Sequence, residues 1–416
     1  MAKNNVKITV EDGLCMGCGV CEDICPKKCI KIVRGKLNVP QIDKRACVNC
    51  GVCLKVCAGR GIDIEARARG LFGQTSHYHN MLGHYIKTYK GYSTEYENRY
   101  HCASGGCLSQ FLIWLLDKGI IDGAIVTGFE ESKPMQPRVY IARSREEVLA
   151  GKSSKYCVVA MNGIVKMIRN APGRYVIVGL PCHIHAFRKY SCIDKIIDER
   201  IIGYFSIFCS GNKNMLSQRY LLWRYNINEQ ELFDFTYRDN GCLGSMFFRD
   251  KTGQSLCEPI GYADYYRGLR SFFSVHRCQI CSDFFGELGD IGFGDLNTNK
   301  PDDDPIGINS LITRSTKWDE LLRQCAHEGM LWLTEIQEET MLEANNYCFY
   351  KKGEGMIAAR NIRKWYGKNN PTFDNYFHIK PGLKVYVGFI VTFFMSLIGR
   401  HRIMWPLIKA LEKRSI

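Results

Sequence analysis

The sequence has no apolar run of the ~18–20 residues that a membrane-spanning helix needs, which excludes a multi-span membrane protein. Residues 1–10 are polar and basic, with no apolar h-region, so no N-terminal secretory pattern is present. The glycine spacing of a Walker loop is missing. So is any nucleic-acid recognition motif that would put the net charge of +14 to that use, and no nucleic-acid partner is expected. Apolar material is not in short supply. At 46% hydrophobic and 24% charged, the 416 residues suffice for two to four domains with real cores, which excludes a disordered or fibrous chain. What is plentiful is cysteine, with 21 residues. In a chain expected to be cytoplasmic, clustered thiols point to metal or redox chemistry rather than to disulfides.

Two clusters share one spacing. The first is Cys15-x2-Cys18-x2-Cys21-x3-Cys25, followed by Pro26, and the second is Cys47-x2-Cys50-x2-Cys53-x3-Cys57. Soft thiolate donors suit iron. Three cysteines two residues apart wrap one face of a cubane, and the fourth reaches the other cluster, the swapped ligation of two-cluster ferredoxins. Zinc motifs favour paired Cys-x2-Cys units over such a run. Gly17, Gly19 and Gly51 allow tight turns that bring amides towards the sulfurs. Cys57 precedes Ala58 rather than proline, which removes no ligand. Cys29 lies outside both patterns and reads as a small buried residue. Residues 1–68 are therefore expected to form a bacterial-type ferredoxin domain with two [4Fe–4S] clusters.

From residue 85 onward strand-like and helix-like stretches alternate, predicting an α/β or mixed-sheet core. Residues 123–128, 175–179 and 201–209 read as strands, and residues 108–118 and 181–190 as helices. Ser104-Gly105-Gly106 precedes a helix. Its amides suit a cofactor pyrophosphate, and equally an ordinary capping loop. Gly151-Lys152-Ser153-Ser154-Lys155-Tyr156 offers hydroxyls and cations in a turn, for a phosphate, a flavin edge or only solvent. Cys182 follows the Gly179-Leu180-Pro181 turn, Cys209 ends an apolar strand, and Cys278-x2-Cys281 is a pair. Strand ends in an α/β core converge on one crevice. These four are either ligands of a third [4Fe–4S] cluster or buried free cysteines.

Residues 85–297 resemble the beta subunit of coenzyme F420 hydrogenases and dehydrogenases. The resemblance rests on Ser104-Gly105-Gly106 with Ile121-Asp122-Gly123, Ser154-Lys155-Tyr156, Gly179-Leu180-Pro181-Cys182 and Phe208-Cys209. Its most specific part is Cys278-Gln279-Ile280-Cys281-Ser282-Asp283 followed by Asp290-Ile291-Gly292-Phe293-Gly294-Asp295. The resemblance implies a flavin-binding α/β (mixed α+β) core in two parts, 85–170 and 171–345, behind the ferredoxin domain. It implies FAD, with Ser104, Gly105 and Gly106 towards its phosphates and Ser154, Lys155 and Tyr156 along the flavin. It also implies a third cluster held by Cys182, Cys209, Cys278 and Cys281, with Asp283, Gly294 and Asp295 closing the loops around it. His183 stands where many relatives carry an amide. His183 and His185 are either proton donors to a reduced flavin or packing imidazoles.

The expected function is that of an iron–sulfur flavoprotein oxidoreductase, passing electrons between its clusters, FAD and an organic substrate such as coenzyme F420, with ferredoxin as another candidate redox partner. The alternative is a non-catalytic electron-transfer subunit of a larger complex. The tail, 346–416, carries the charge: residues 351–416 hold 13 Lys/Arg and 3 Asp/Glu, a net +10 of the +14. Within it, residues 385–398 form a 14-residue apolar run flanked by Lys380 and Lys384 on one side and by Arg400, His401 and Arg402 on the other. As a helix that run spans ~21 Å, short of a ~30 Å hydrocarbon core. Residues 380–416 thus read as a peripheral contact with the cytoplasmic membrane face, each basic residue adding roughly 1 kcal/mol on an anionic leaflet. A buried core helix or an acidic protein's docking site fits the same pattern.

Overall fold

The computed structural model describes residues 4–73, 76–296 and 304–412. The first three residues of the ferredoxin region, Asn297 at the far limit of the family-like stretch, and residues 413–416 of the tail lie outside the described residues.

The core is one eight-stranded mixed sheet. Its strands are β1 (Lys87–Ser93), β2 (Gly123–Glu130), β3 (Lys133–Ala142), β4 (Tyr175–Gly179), β5 (Ile201–Ile207), β6 (Ile291–Asp295), β7 (Asn309–Thr313) and β8 (Leu331–Glu335). Their order in space is β8-β1-β7-β6-β5-β4-β2-β3. β6, β5, β4 and β2 pair in parallel, whereas β7, β8 and β3 pair antiparallel with their neighbours. β1 and β6 both run antiparallel to β7, so β1, β2, β4, β5 and β6 all point the same way and end at one edge. Every residue of β4 is buried, which explains its unbroken apolar run YVIVG. Helices Cys107–Asp117 and Pro181–Ser191 follow the apolar periods read in the sequence.

The ferredoxin segment is built into the body. Asp23 accepts from the Gly163 amide (2.8 Å) and the Val165 amide (3.3 Å) at the start of helix Ile164–Asn170, an N-terminal cap supplied from a distant part of the chain. Burial raises the Asp23 carboxyl to about 6. Asp374 accepts from the Ile64 and Glu65 amides and so caps helix Ile64–Phe72. The first half of the basic tail is also body rather than appendage. Helix Glu354–Trp365 buries Met356, Ala358, Ala359 and Ile362, and Lys351 and Lys352 are buried just before it.

Candidate redox centre

The eight N-terminal cysteines sort into two cavities, and the sorting is crossed. Cys15, Cys18, Cys21 and Cys57 line one, while Cys25, Cys47, Cys50 and Cys53 line the other. Each motif therefore lends its fourth cysteine to its neighbour, as the spacing predicts. Gly19 and Gly51 sit in the left-handed region at φ of +77° and +75°, where each turns the chain into a one-turn helix carrying the third cysteine. Cys29 also lines the second cavity, with Sγ 3.3 Å from that of Cys25. The Val6 amide donates to Cys53 Sγ (3.2 Å) and Asn5 Nδ2 to Cys47 Sγ (3.7 Å).

Cys182, Cys209, Cys278 and Cys281 meet at the carboxyl edge of the sheet. Burial, and then the neighbouring thiols of Cys209, Cys278, Cys18 and Cys281, push the Cys182 thiol well above its ordinary value. Cys18 of the first cavity is thus a neighbour of the third group, and the Cys21 thiol, raised by burial and in part by Cys53, adjoins the second cavity. The first quartet thus adjoins both of the others. Among the described residues no group of three or more His, Cys, Asp or Glu is gathered tightly enough for one metal ion. Burial also raises Cys15 to about 11 and Cys18 to about 12. Four soft sulfur donors at each N-terminal cavity fit an iron–sulfur core.

Local packing explains how the third quartet is held. Phe208, next to Cys209, lies across β6, where a Cβ on Gly294 would sit 2.0 Å from Phe208 Cδ2 and one on Gly292 2.9 Å from Phe208 Cε1. The alternating glycines of the Asp290–Asp295 motif are therefore clearance for Phe208. Gly294→Ala is expected to cost ~1–3 kcal/mol of stability by overpacking, and to lower iron retention at the third site, as checked by thermal melting and iron per chain. The Asn212 amide donates to Cys278 Sγ (3.4 Å). Lys351, buried, donates through Nζ to the Cys209 carbonyl and faces Cys209, Cys281 and Cys278. Asp283 is a buried partner of His185 Nε2 (2.7 Å) and accepts from the Gly286 amide. His183 is buried, its Nδ1 accepting from the Leu180 amide (3.4 Å), and burial pushes it down to about 4. Both histidines are thus packed within the structure.

Two cations not legible in the sequence clamp the ferredoxin motif onto this centre. Arg277, beside Cys278, donates to the Gly59 carbonyl (2.8 Å) and the Ala58 carbonyl (3.3 Å). Lys189 donates to the carbonyls of Cys57 (3.1 Å) and Gly61. Neither belongs to a motif, and only the tertiary contact reveals them.

The two loops expected at a flavin fare differently. Ser104 Oγ donates to the Ile308 carbonyl (2.8 Å), and Asn309 Oδ1 accepts from the Cys107 amide (3.0 Å). A Cβ on Gly105 would meet the Gly91 carbonyl oxygen at 2.7 Å, and Gly106 is the left-handed residue before helix Cys107–Asp117. Ser104, Gly105 and Gly106 therefore have packing roles, and the Ser104 hydroxyl proton and the Cys107 amide are engaged within the protein. Lys155 folds back on the carbonyls of Gly151, Lys152 and Ser153, and burial lowers it to about 7. Tyr156, in contact with Ser154, enters an aromatic wall with Tyr237, Tyr262, Tyr265 and Tyr266. Two buried cations face that wall. Lys213 Nζ reaches Tyr266 OH (3.5 Å), and Arg238 pairs through Nη1 with Asp295 (2.8 Å) while its Nη2 is buried without a partner among the described residues. An unpartnered guanidinium nitrogen beside an aromatic wall suits a planar, anionic ligand.

Comparison with known proteins agrees with this geometry. Residues 88–166 and 173–339 match the models for the N-terminal and C-terminal parts of "Coenzyme F420 hydrogenase/dehydrogenase, beta subunit", and residues 14–60 match a "4Fe-4S dicluster domain". A coenzyme F420 hydrogenase subunit beta of Methanothermobacter thermautotrophicus is 26% identical over 293 residues, covering 67% of this chain and 96% of that one. A coenzyme F420-dependent sulfite reductase of Methanocaldococcus jannaschii is 24% identical over 363 residues, and the match spans 81% of this chain but half of that protein. The fold is similar to that of a chain in the F420-reducing [NiFe] hydrogenase complex of Methanosarcina barkeri (TM-score 0.54, 19% identity), covering 72% of this chain and 99% of the other.

Proposed function

The chain belongs to the coenzyme F420 hydrogenase/dehydrogenase beta-subunit family and carries a 4Fe–4S ferredoxin domain; on that basis we propose that it is an iron–sulfur flavoprotein oxidoreductase. It passes electrons between ferredoxin-type clusters and an organic substrate by way of FAD. The observation that carries the reading is the set of three adjoining cysteine quartets, with a wall of tyrosines and buried cations.

In this reading Cys15, Cys18, Cys21 and Cys57 hold one [4Fe–4S] cluster, Cys25, Cys47, Cys50 and Cys53 the second, and Cys182, Cys209, Cys278 and Cys281 the third. Clusters supply one-electron steps, and FAD joins these to two-electron or hydride chemistry. The chain's own residues hold and tune the groups. The amides of Val6 and Asn212 point at sulfurs, and Lys351 sets a buried positive charge beside the third quartet. Arg238 and Lys213 face the place for an anionic cofactor, with Tyr156 and Ser154 beside it and Lys155 stiffening the loop that carries them. Ser104, Gly105 and Gly106 shape the same sheet edge through packing.

Arg238→Met is expected to weaken FAD retention about tenfold while leaving iron content unchanged, because it removes a charge-assisted contact and the cysteine it adjoins, Cys242, belongs to none of the three quartets. Flavin fluorescence released on denaturation reads this out. The substrate we favour is coenzyme F420, on the strength of the relatives' names. Reduced coenzyme F420 is expected to drive viologen reduction by the isolated chain under anaerobic conditions. Dye reduction by reduced ferredoxin alone would move the substrate elsewhere. Absence of both, with no bound flavin, would favour a non-catalytic electron-transfer subunit, a reading that similarity to a chain of a hydrogenase complex keeps in view.

A further inference from the structure

The C-terminal hairpin supplies no cysteine to the redox centre. Helix Leu383–Ile398 and segment Arg402–Leu411 meet at 113°. The inner side of the first helix is fixed to the body. Phe389 packs against Leu14, Ile280 and Ala359, Ser396 Oγ hydrogen-bonds His276 Nε2 (3.1 Å), and Tyr386 stacks on Trp365. Only Ser396 of its sixteen residues is buried, so the buried-core-helix reading of this run does not hold.

The outer side is apolar where a surface helix ordinarily carries charge. Leu383, Val387, Ile390, Val391 and Phe394 recur at i, i+4, i+7, i+8 and i+11, which places them on one stripe. All five are exposed, Leu383 at 79% and Phe394 at 59%, and Ile403 in the bend is exposed at 87%. No acidic residue occurs between Asp374 and Glu412. Lys380, Lys384, Arg400, Arg402 and Lys409 bracket the stripe, and Lys36 of the ferredoxin segment joins them, its pKa pushed down to about 8 by partial burial and by Arg400. Among the described residues none of these six cations forms an ion pair with an acidic side chain. Exposed Trp365 and Tyr366 stand near the other end, the kind of side chain that occupies a headgroup region.

We propose that this hairpin docks the protein on an anionic lipid bilayer. The apolar stripe lies in the interfacial plane and the surrounding cations meet lipid phosphates. Sixteen helical residues reach ~24 Å, less than the ~30 Å hydrocarbon thickness, and the sharp bend turns the chain back, so the element lies in the surface and does not cross it. Lipid, rather than an acidic protein, is the occupant because the stripe presents no hydrogen-bonding side chain to a partner and its charge is all at the margins, the distribution of an interfacial helix.

The test is flotation of the full-length, cluster-loaded protein with phosphatidylcholine vesicles, with and without about 30% phosphatidylglycerol. Binding to the anionic vesicles should be at least about tenfold stronger than to neutral ones and should fall in high salt. Ile390→Asp combined with Phe394→Asp should lose about tenfold in binding, with iron content and visible absorbance unchanged. The double variant Lys380→Ser, Lys384→Ser and the triple variant that adds Arg402→Ser, whose guanidinium lies over the Trp405 ring (5.9 Å), should both lose binding with iron content and visible absorbance unchanged. Failure to bind anionic vesicles, equal binding by the triple variant, or burial of the stripe in a stable dimer that vesicles do not dissociate would each overturn the proposal. None of these readouts depends on flavin or on the identity of the substrate.

Discussion

Cys278→Ala is expected to remove about four irons per chain, the content of one cubane, and to leave the two ferredoxin-type sites loaded. Cys278 Sγ receives the Asn212 amide and sits with Cys182, Cys209 and Cys281 at the sheet edge. Losing one of four ligands opens the third quartet, while the first two quartets draw all their cysteines from residues 15–57. Cys29→Ala is the control. Its sulfur lies at the second cavity but outside the motif, and iron content should not change. Iron and acid-labile sulfide per chain, measured anaerobically, check both. Unchanged iron in Cys278→Ala would remove the third site.

Glu287→Ala should destabilise the fold by ~3–5 kcal/mol, because it strands a buried cation. Glu287 Oε1 pairs with Lys352 Nζ at 2.7 Å, and both side chains are almost wholly out of water. Lys352 also donates to the carbonyls of Asn80 and Met81, and Asn375 Nδ2 donates to Glu287 Oε1 at 2.6 Å. Asn375 in turn contacts Ser282, between Cys281 and Asp283. Loss of the carboxylate therefore loosens the backing of the third quartet as well as the tail helices. The double variant Glu287→Ala, Lys352→Met removes both charges and should recover most of the loss. Denaturation midpoints of the two variants against the parent distinguish the cases. A single variant within ~1 kcal/mol of the parent would show that water reaches the pair.

The cysteine quartets were the most legible part of the site, for a physical reason. Ligands of the first two are local in sequence, so their spacing carries the geometry directly. Those of the third are far apart, but Cys182 and Cys209 follow strand ends and Cys278 and Cys281 form a Cys-x2-Cys pair, and parallel strands bring such ends together. The strands at 175–179 and 201–207 were legible from their continuous β-branched and aromatic runs, as strands buried on both faces. Ser104-Gly105-Gly106 answers to two physical demands at once. A phosphate loop and a close strand crossing ask for the same residues, and the approach of Gly91 and Asn309 displays the second of these demands. Arg277, Lys189, Lys213 and Arg238 carry no pattern, since a buried cation is identified by its partners. The apolar run at 385–398 falls within helix Leu383–Ile398, but a run so uniformly apolar gives no sign of which side meets the body.

The central claim is that one chain carries three cubane clusters and a flavin. The most direct test is an anaerobic inventory of iron, acid-labile sulfide and released flavin per chain. The account predicts about twelve irons, as many sulfides and one FAD. About eight irons with no flavin would contradict it and leave a two-cluster ferredoxin domain on a scaffold without its own redox site.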